Sequence, residues 1–521
     1  MDRFRVYKNA VGVGFVLLTV LLAGCRPTPE VKTDAGNAPP VKSQGSGPAV
    51  DIAAMRPRIA KFCGACHAVP DPATFPKRAW YDEVAQGFQF YEKSNRRDLA
   101  VPPMKDVVAY YRQLAPTELA VPPIAVGDDS APVSFEKRGT VPATGDVAPF
   151  VSHLFWQKDG RSQAGSLLLC DMRSGQVRRI GFKGDKVEED QAMAMLAHPA
   201  HITVSDLDQD GRRDYLVAEL GGFLPEDHDR GQVVWLRPQK DGGLKKTVLK
   251  QGLGRVADVQ PGDFDRDGDM DVIVAEFGWR TTGRILLLKQ TGRQAGIPKF
   301  ETIVIDDRHG TIHVPTTDLN GDGHLDFVAL ISQEHEAIVA FLNRGDGSFK
   351  KALIHRFSDP SYGSSGIQLV DLDADGDLDV LYTNGDSLDS MFLKPYHAIH
   401  WLENTGTYPF ESHELARMPG VARAVVADVD GDGDLDIVAC AYLPPRVVNQ
   451  IKGEQFESML WLEQQPNRRF VRHHLETSRR GHVAVEVADF DEDGDLDIAV
   501  GNIGKHAAVT IWWGRRNSVR K

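Results

Sequence analysis

Asp371-Leu372-Asp373-Ala374-Asp375-Gly376-Asp377-Leu378-Asp379 sets a carboxylate at alternate positions and a glycine where the chain must turn sharply. The same grammar begins again at Asp206, Asp263, Asp318, Asp428 and Asp489, at intervals of 53 to 61 residues. Positions 1, 3, 5 and 9 read Asp206, Asp208, Asp210, Asp214 in the first copy and Asp263, Asp265, Asp267, Asp271 in the second. They continue as Asp318, Asn320, Asp322, Asp326, then Asp371, Asp373, Asp375, Asp379. The last two copies give Asp428, Asp430, Asp432, Asp436 and Asp489, Asp491, Asp493, Asp497. Alternating oxygens of this kind converge on one hard cation, so the expected ligands are up to six Ca²⁺ ions. An EF-hand would need a helix and a Glu at position 12, but Val217, Val274, Ala329, Tyr382, Ala439 and Val500 stand there, and a strand follows each loop. A regular spacing over six copies is a repeat architecture, in which the loops hold hairpin ends and are structural rather than catalytic. Arg212 and Arg213 lie inside the first loop, which is therefore expected to bind its ion least tightly.

Around each loop the pattern is strand, loop, strand, variable loop, strand, short turn, strand, as in residues 366–370, 378–383, 398–403 and 410–415. Four short strands per repeat, the inner ones apolar on both faces, predict propeller blades packed sheet on sheet. The region resembles the FG-GAP or VCBS-type repeats of integrin-like β-propellers, on its Asp loops and blade length, over residues 150–521. The expected fold is mainly β, a seven-bladed propeller, with six or eight blades as alternatives. The seventh blade is the loop-free stretch 150–183, and an N-terminal strand is expected to complete the last unit and close the ring.

The first residues have a different composition. Arg3, Arg5 and Lys8 precede an apolar run over 10–22, and Leu22-Ala23-Gly24-Cys25 ends it. The run is short for a bilayer span and reads as a signal peptide over 1–24. It resembles a bacterial lipobox, which implies lipidation of Cys25 and a lipid-anchored protein of the cell envelope, periplasmic or at the outer membrane or cell surface. Residues 25–49 are Pro, Gly, Ser, Lys and Thr without apolar period, expected to be a disordered tether.

Residues 50–117 carry helical spacing: Ile52, Met55, Ile59, Phe62; Trp80, Val84, Phe88, Tyr91; Val107, Tyr111, Leu114. Three short helices make a thin core that needs a staple or cofactor. Cys63-Gly64-Ala65-Cys66-His67 offers one, because C-x-x-C-H attaches haem through two thioethers and presents the adjacent imidazole to the iron. A zinc ribbon would need a second Cys or His pair nearby, and none stands between His67 and His153. The segment resembles a small all-α class I cytochrome c domain, which implies one covalent haem c on Cys63, Cys66 and His67, with Met104 as the candidate for the opposite axial position. Residues 118–149, rich in Pro, Gly, Ala and Val, are expected to be a linker.

The net charge of −13 is concentrated in the Asp loops, and no basic run suggests a nucleic-acid partner. Cys170 and Cys440 sit in apolar strand-like runs and are expected to be buried free thiols.

Each Asp loop joins the first and second strands of a blade, so all six must share one face. The opposite face then collects His198, His201, Glu219, Arg255, Glu276, His309 and His482, together with His313, Tyr362, Arg423 and Arg480, as a polar mouth overhung by the loops 384–398 and 441–457. Convergent His, Arg and Glu mark a default binding site. No complete catalytic set accompanies them. Two functions follow: electron transfer, with the propeller docking a redox protein or oxidising a small substrate, or surface recognition of a protein or polysaccharide with an ancillary haem.

Overall fold

The computed structural model describes residues 49–121, 131–158, 165–388, 391–444, 456–478, 481–504 and 507–517. The signal peptide, Cys25, Arg480 and all but residue 49 of the tether lie outside them, as does most of the 441–457 loop.

The helical periodicities become α1 (Ile52–Phe62), α2 (Trp80–Lys93) and α3 (Met104–Leu114). Asp51 caps α1, its carboxylate accepting the Ala53 and Ala54 N–H groups at 2.9 and 3.2 Å. Asp82 and Glu83 open α2 and Lys93 closes it, each sign complementing the helix dipole. Met55, Ile59, Trp80, Val84, Val107 and Tyr111 form the core, where the Trp80 and Tyr111 rings stack at 4.0 Å.

Among the described residues the strands form seven antiparallel sheets of four strands, one of them with a split inner strand. These are seven blades: residues 151–195, 199–253, 256–306, 311–356, 364–417, 421–478 and 482–516. Val133–Pro142 pairs antiparallel with Ala507–Arg516, so the outermost strand of blade 7 comes from the N-terminal side and closes the ring. Propeller structure therefore begins at Val133, inside the stretch expected to be linker. Gly139 and Pro142 interrupt its alternation, and only Val133 and Val141 are buried apolar positions, which leaves a weak period-2 signal. The first blade carries no Asp loop, as expected.

Each second strand is packed on both faces by neighbouring sheets: every residue of Asp271–Glu276, Asp326–Ile331, Asp379–Asn384 and Asp436–Ala441 is buried. Apolar side chains meet in a separate cluster at each blade–blade contact, for example Trp235 and Val274 between blades 2 and 3, or Tyr382 and Leu330 between blades 4 and 5. Closing the ring therefore completes a seventh such core, with Trp156, Phe490 and Trp513 between blades 7 and 1. Cys170 and Cys440 are fully buried and free within these cores. The inner strand of blade 4 breaks into Thr311–His313 and Thr316–Thr317 around Pro315, which has no N–H to give the ladder.

Candidate functional site

On the loop face, the backbone explains why the six copies share more than their acids. Position 6 is a glycine with positive φ in every copy, from 82° at Gly323 to 100° at Gly433. Position 4 is left-handed as well, at Gln209, Arg266, Gly321, Ala374, Gly431 and Glu492, four of which are not glycine and carry strain. Those two turns fold the loop so that position 1 accepts N–H groups from further along. The Asp371 oxygens take the Asp375 and Gly376 N–H groups at 3.1 and 3.0 Å, and Asp489 takes those of Asp493 and Gly494 at 3.1 and 3.0 Å.

Position 9 is a buried brace. Asp379 accepts the Leu372 N–H at 3.2 Å and the Asn404 N–H at 2.8 Å, tying the loop to the third strand. Asp436 does so with Val429 and Gln464, and Asp497 with Phe490 and Gly514. Burial, with the neighbouring loop carboxylates adding to it, pushes Asp214, Asp271 and Asp379 up to about 6 and Asp436 and Asp497 up to about 7. Asp208 Oδ1, Asp214 Oδ1, Asp263 Oδ1 and Asp373 Oδ1 are buried without a hydrogen-bond partner. Carboxylates brought together, desolvated and left with unpaired oxygens form a donor set that fits a hard divalent cation. Oxygens of Asp206, Asp208 and Asp210, of Asp263, Asp265 and Asp267, and of Asp371, Asp373 and Asp379 lie within 4.8 Å of one another. In the first loop Asp210 is paired with Arg212, and Asp208 with Arg237 at 3.0 Å, so basic side chains compete for its oxygens.

Along the axis, the inner strands carry a polar ring. Pro199–Ser205, Val256–Gly262 and Val421–Ala427 place His201, Asp258 and Arg423 at one level, five residues before the first loop Asp, and His313 stands at the same offset in blade 4. His201 Nδ1 lies 3.1 Å from Asp258 Oδ1, and His313 Nδ1 3.9 Å from Asp258 Oδ2. Arg423 Nη1 is 3.5 Å from His313 Nε2 and donates to the Ile367 carbonyl at 3.0 Å. His153 of the loop-free blade packs on His201 with ring centroids 3.8 Å apart. Burial drives His153, His201 and His313 below the ordinary imidazole range. Burial raises Asp258, but the two imidazoles, the Val314 N–H and Gln260 outweigh it and keep the carboxylate ionised. Nearer the loop end, Glu486 is pushed up to about 7 by burial against the pull of Arg423, and it lines a cavity of about 500 Å³ with Trp156, Lys158 and Asp489.

The other described residues of the expected mouth have partners of their own. Glu219 and Glu276 are strand-end braces: Glu219 accepts the Ala197 N–H at 2.9 Å, and Glu276 accepts the Gly254 N–H at 2.6 Å and Arg284 at 2.7 Å. Arg255 donates to the Gly278 carbonyl at 2.9 Å under Phe277 and Trp279. His198 contacts the Met172 carbonyl at 2.7 Å, His482 pairs with Glu476 at 2.9 Å, and His309 with Glu334 at 2.9 Å. Tyr362 stacks between Phe357 and Tyr396. Carboxylates at blade ends satisfy the N–H groups of chain entering a strand.

That face instead carries the helical segment. Asp359, between blades 4 and 5, accepts the Asp71 N–H and the Thr74 hydroxyl, both at 2.8 Å. Phe392 joins the helical core, 6.1 Å from Phe75 and under the Arg78 guanidinium. Lys394, buried, donates to the Ser361 carbonyl and lies 4.6 Å over Phe75. Arg280 of blade 3 lies 4.2 Å over Phe90 of α2.

Within the segment, Cys63 opens a 3₁₀ turn directly after α1, and Cys66 and His67 follow it. Both thiols are free, Cys66 exposed and Cys63 half-buried. Burial first, then the neighbouring Cys66, pushes the Cys63 thiol up to about 11. Phe62 meets Phe88 and Tyr91 with centroids 5.1 Å away beside this turn, and Arg96 donates to Cys66 Sγ at 3.3 Å. His67 Nδ1 contacts the Ala68 carbonyl at 2.6 Å, which leaves Nε2 to face outward partners. Two unpaired thiols and an imidazole at one helix end, next to an aromatic wall, form a donor set that fits thioether-attached haem. Met104 is half-buried as the first residue of α3 and packs on the helical core.

The fold and its loops define a seven-bladed β-propeller with aspartate-rich blade loops. The FG-GAP-like repeat model matches residues 206–274 and 318–382, and the chain carries FG-GAP-like repeats there. Among solved structures it is similar to one titled "Crystal structure of BBS1N in complex with ARL6DN, soaked with mercury", at 11% identity and a TM-score of 0.43, covering 73% of this chain and 99% of that one. No curated protein matches the chain.

Proposed function

We propose that the protein is an exported haem c electron-transfer protein whose calcium-stabilised propeller docks a redox protein or a small substrate. The observation that carries this reading is Cys63-Gly64-Ala65-Cys66-His67 at the end of α1, with both thiols free, on a segment clamped to the propeller. Cys63 and Cys66 would hold the group covalently, and His67, with Met104 as the further candidate, would supply nitrogen and sulfur donors to its iron. Once bound, haem supplies a one-electron couple. The apolar contacts of Phe62, Phe88 and Tyr91 beside the Cys turn would help to exclude water from a bound group, and Arg96, which donates to Cys66, would supply a positive charge nearby. The leader and Cys25 point to a lipid-anchored location in a bacterial envelope. A redox titration of the exported protein, followed by its visible spectrum, tests the reading: a single one-electron transition, displaced in His67→Ala, is expected. A protein without a visible redox transition would end it.

A second reading is a surface module that recognises a protein or polysaccharide, with the haem ancillary. The FG-GAP-like repeats support it, because they make the propeller a binding scaffold. A haem that titrates normally but exchanges no electrons with envelope redox proteins would favour it.

A further inference from the structure

Beside the helical segment, blade 3 ends and blade 4 begins with a cluster outside both the Asp loops and the axial ring. His309 follows the last strand of blade 3 (Ile297–Asp306), while Glu334 and His335 lie in the turn between Asp326–Ile331 and Ala337–Asn343. One donor atom from each lies within 4.8 Å of the other two. His309 Nε2 stands 2.9 Å from Glu334 Oε1 without the alignment of a hydrogen bond, and His335 Nε2 is buried with no partner. The two imidazole rings are tilted at 59° with centroids 5.1 Å apart, so they do not stack on each other. The turn is built at a cost: Gln333 and Glu336, on either side of the pair, have positive φ of 53° and 39°.

We propose that His309, Glu334 and His335 bind one first-row divalent metal ion of the zinc class. Two imidazoles and one carboxylate suit such an ion, whereas Ca²⁺ takes six to eight oxygens and is served by the Asp loops. Three protein ligands leave a coordination position open for water or for an oxygen of a substrate. Arg280 donates to Glu334 Oε2 at 2.9 Å and lies over Phe90 of α2, which orients the carboxylate and ties the site to the helical segment.

The test uses the full chain, saturated with Ca²⁺, loaded with Zn²⁺ and then dialysed, with metal content read by mass spectrometry. Wild type is expected to keep one zinc more than His335→Ala or His309→Ala, and Glu334→Gln to weaken zinc binding at least tenfold in calorimetry. X-ray absorption on the zinc-loaded protein is expected to show imidazole nitrogens. Wild type that keeps no zinc overturns the proposal. So does zinc retained equally in all three variants, which would place the ion elsewhere in the chain. Glu334→Gln preserves side-chain shape, and its thermal transition in the absence of zinc separates lost binding from lost folding.

Discussion

The Thr74 hydroxyl donates to the Asp359 carboxylate at 2.8 Å, a buried bond that joins the helical segment to the propeller. The same carboxylate oxygen takes the Asp71 N–H, and its other oxygen takes the Ser361 N–H and hydroxyl at 2.9 and 2.6 Å. Asp359→Ala strands these donors, at about 1–3 kcal/mol for each that stays buried. The expected outcome is a lower thermal transition and faster proteolysis between α3 and the closing strand. Unchanged cleavage there would show that the apolar contacts around Phe392 hold the segment alone.

Removing calcium is expected to lower the thermal transition, and restoring it to raise the transition again. Binding to the folded state alone adds about 2.7 kcal/mol per site at a hundredfold excess over Kd. Calorimetry with chelator and with added Ca²⁺ checks this. The first loop is expected to be the weakest site, because Arg212 already pairs with Asp210, and Arg212→Ala should tighten it.

Ala374 holds φ at 59° in the fourth loop, a conformation that costs a side chain about 1–2 kcal/mol. Ala374→Gly removes that strain but loosens the unfolded chain by about 0.4–1 kcal/mol. The net expectation is a neutral or slightly raised unfolding midpoint, against a clear drop in Ala374→Val, measured with calcium present. A drop in both would mean that the turn does not govern the loop's stability.

Glu476 sits where the ring closes: its carboxylate takes Lys137 of the closing strand at 2.5 Å, Ser458 at 3.0 Å and His482 at 2.9 Å. Burial raises it, but His482 and Lys137 prevail and lower it from 4.5 to about 2. A depressed carboxylate stabilises the fold above its unfolded value, and that contribution fades as pH falls from 4.5 towards 2. It is on the order of 2 kcal/mol after allowance for partial solvent screening. Denaturant midpoints of wild type and Glu476→Gln should therefore differ at pH 7 and converge at the acid end.

Much of the fold was legible because the Asp loops act as a ruler. They count six blades, and the apolar runs at 167–170 and 177–181 supply the seventh. The helices were legible from their period. A closing strand from the N-terminal side was expected, as found, but its place at Val133–Pro142 was not legible, since Gly139 and Pro142 break its alternation. The ring was half legible: counting five residues back from each first Asp reaches His201, His313 and Arg423, and the same count reaches Asp258. Asp258 stands in an apolar strand, where a lone acid gives no sign of its axial neighbours. His153 belongs to the blade without a loop, where no ruler exists. The partners of Glu219 and Glu276 were not legible, because a carboxylate that accepts a backbone N–H has the same letter as one that faces a ligand. His335 and Glu334 were hidden by their distance in sequence from His309.

The most direct test of the central claim is the intact mass of the exported, purified protein before and after thiol alkylation. The account predicts one haem attached covalently through Cys63 and Cys66, so that neither thiol is alkylated, with the haem lost in the Cys63→Ala, Cys66→Ala double variant. A haem-free chain in which both cysteines are alkylated would contradict it.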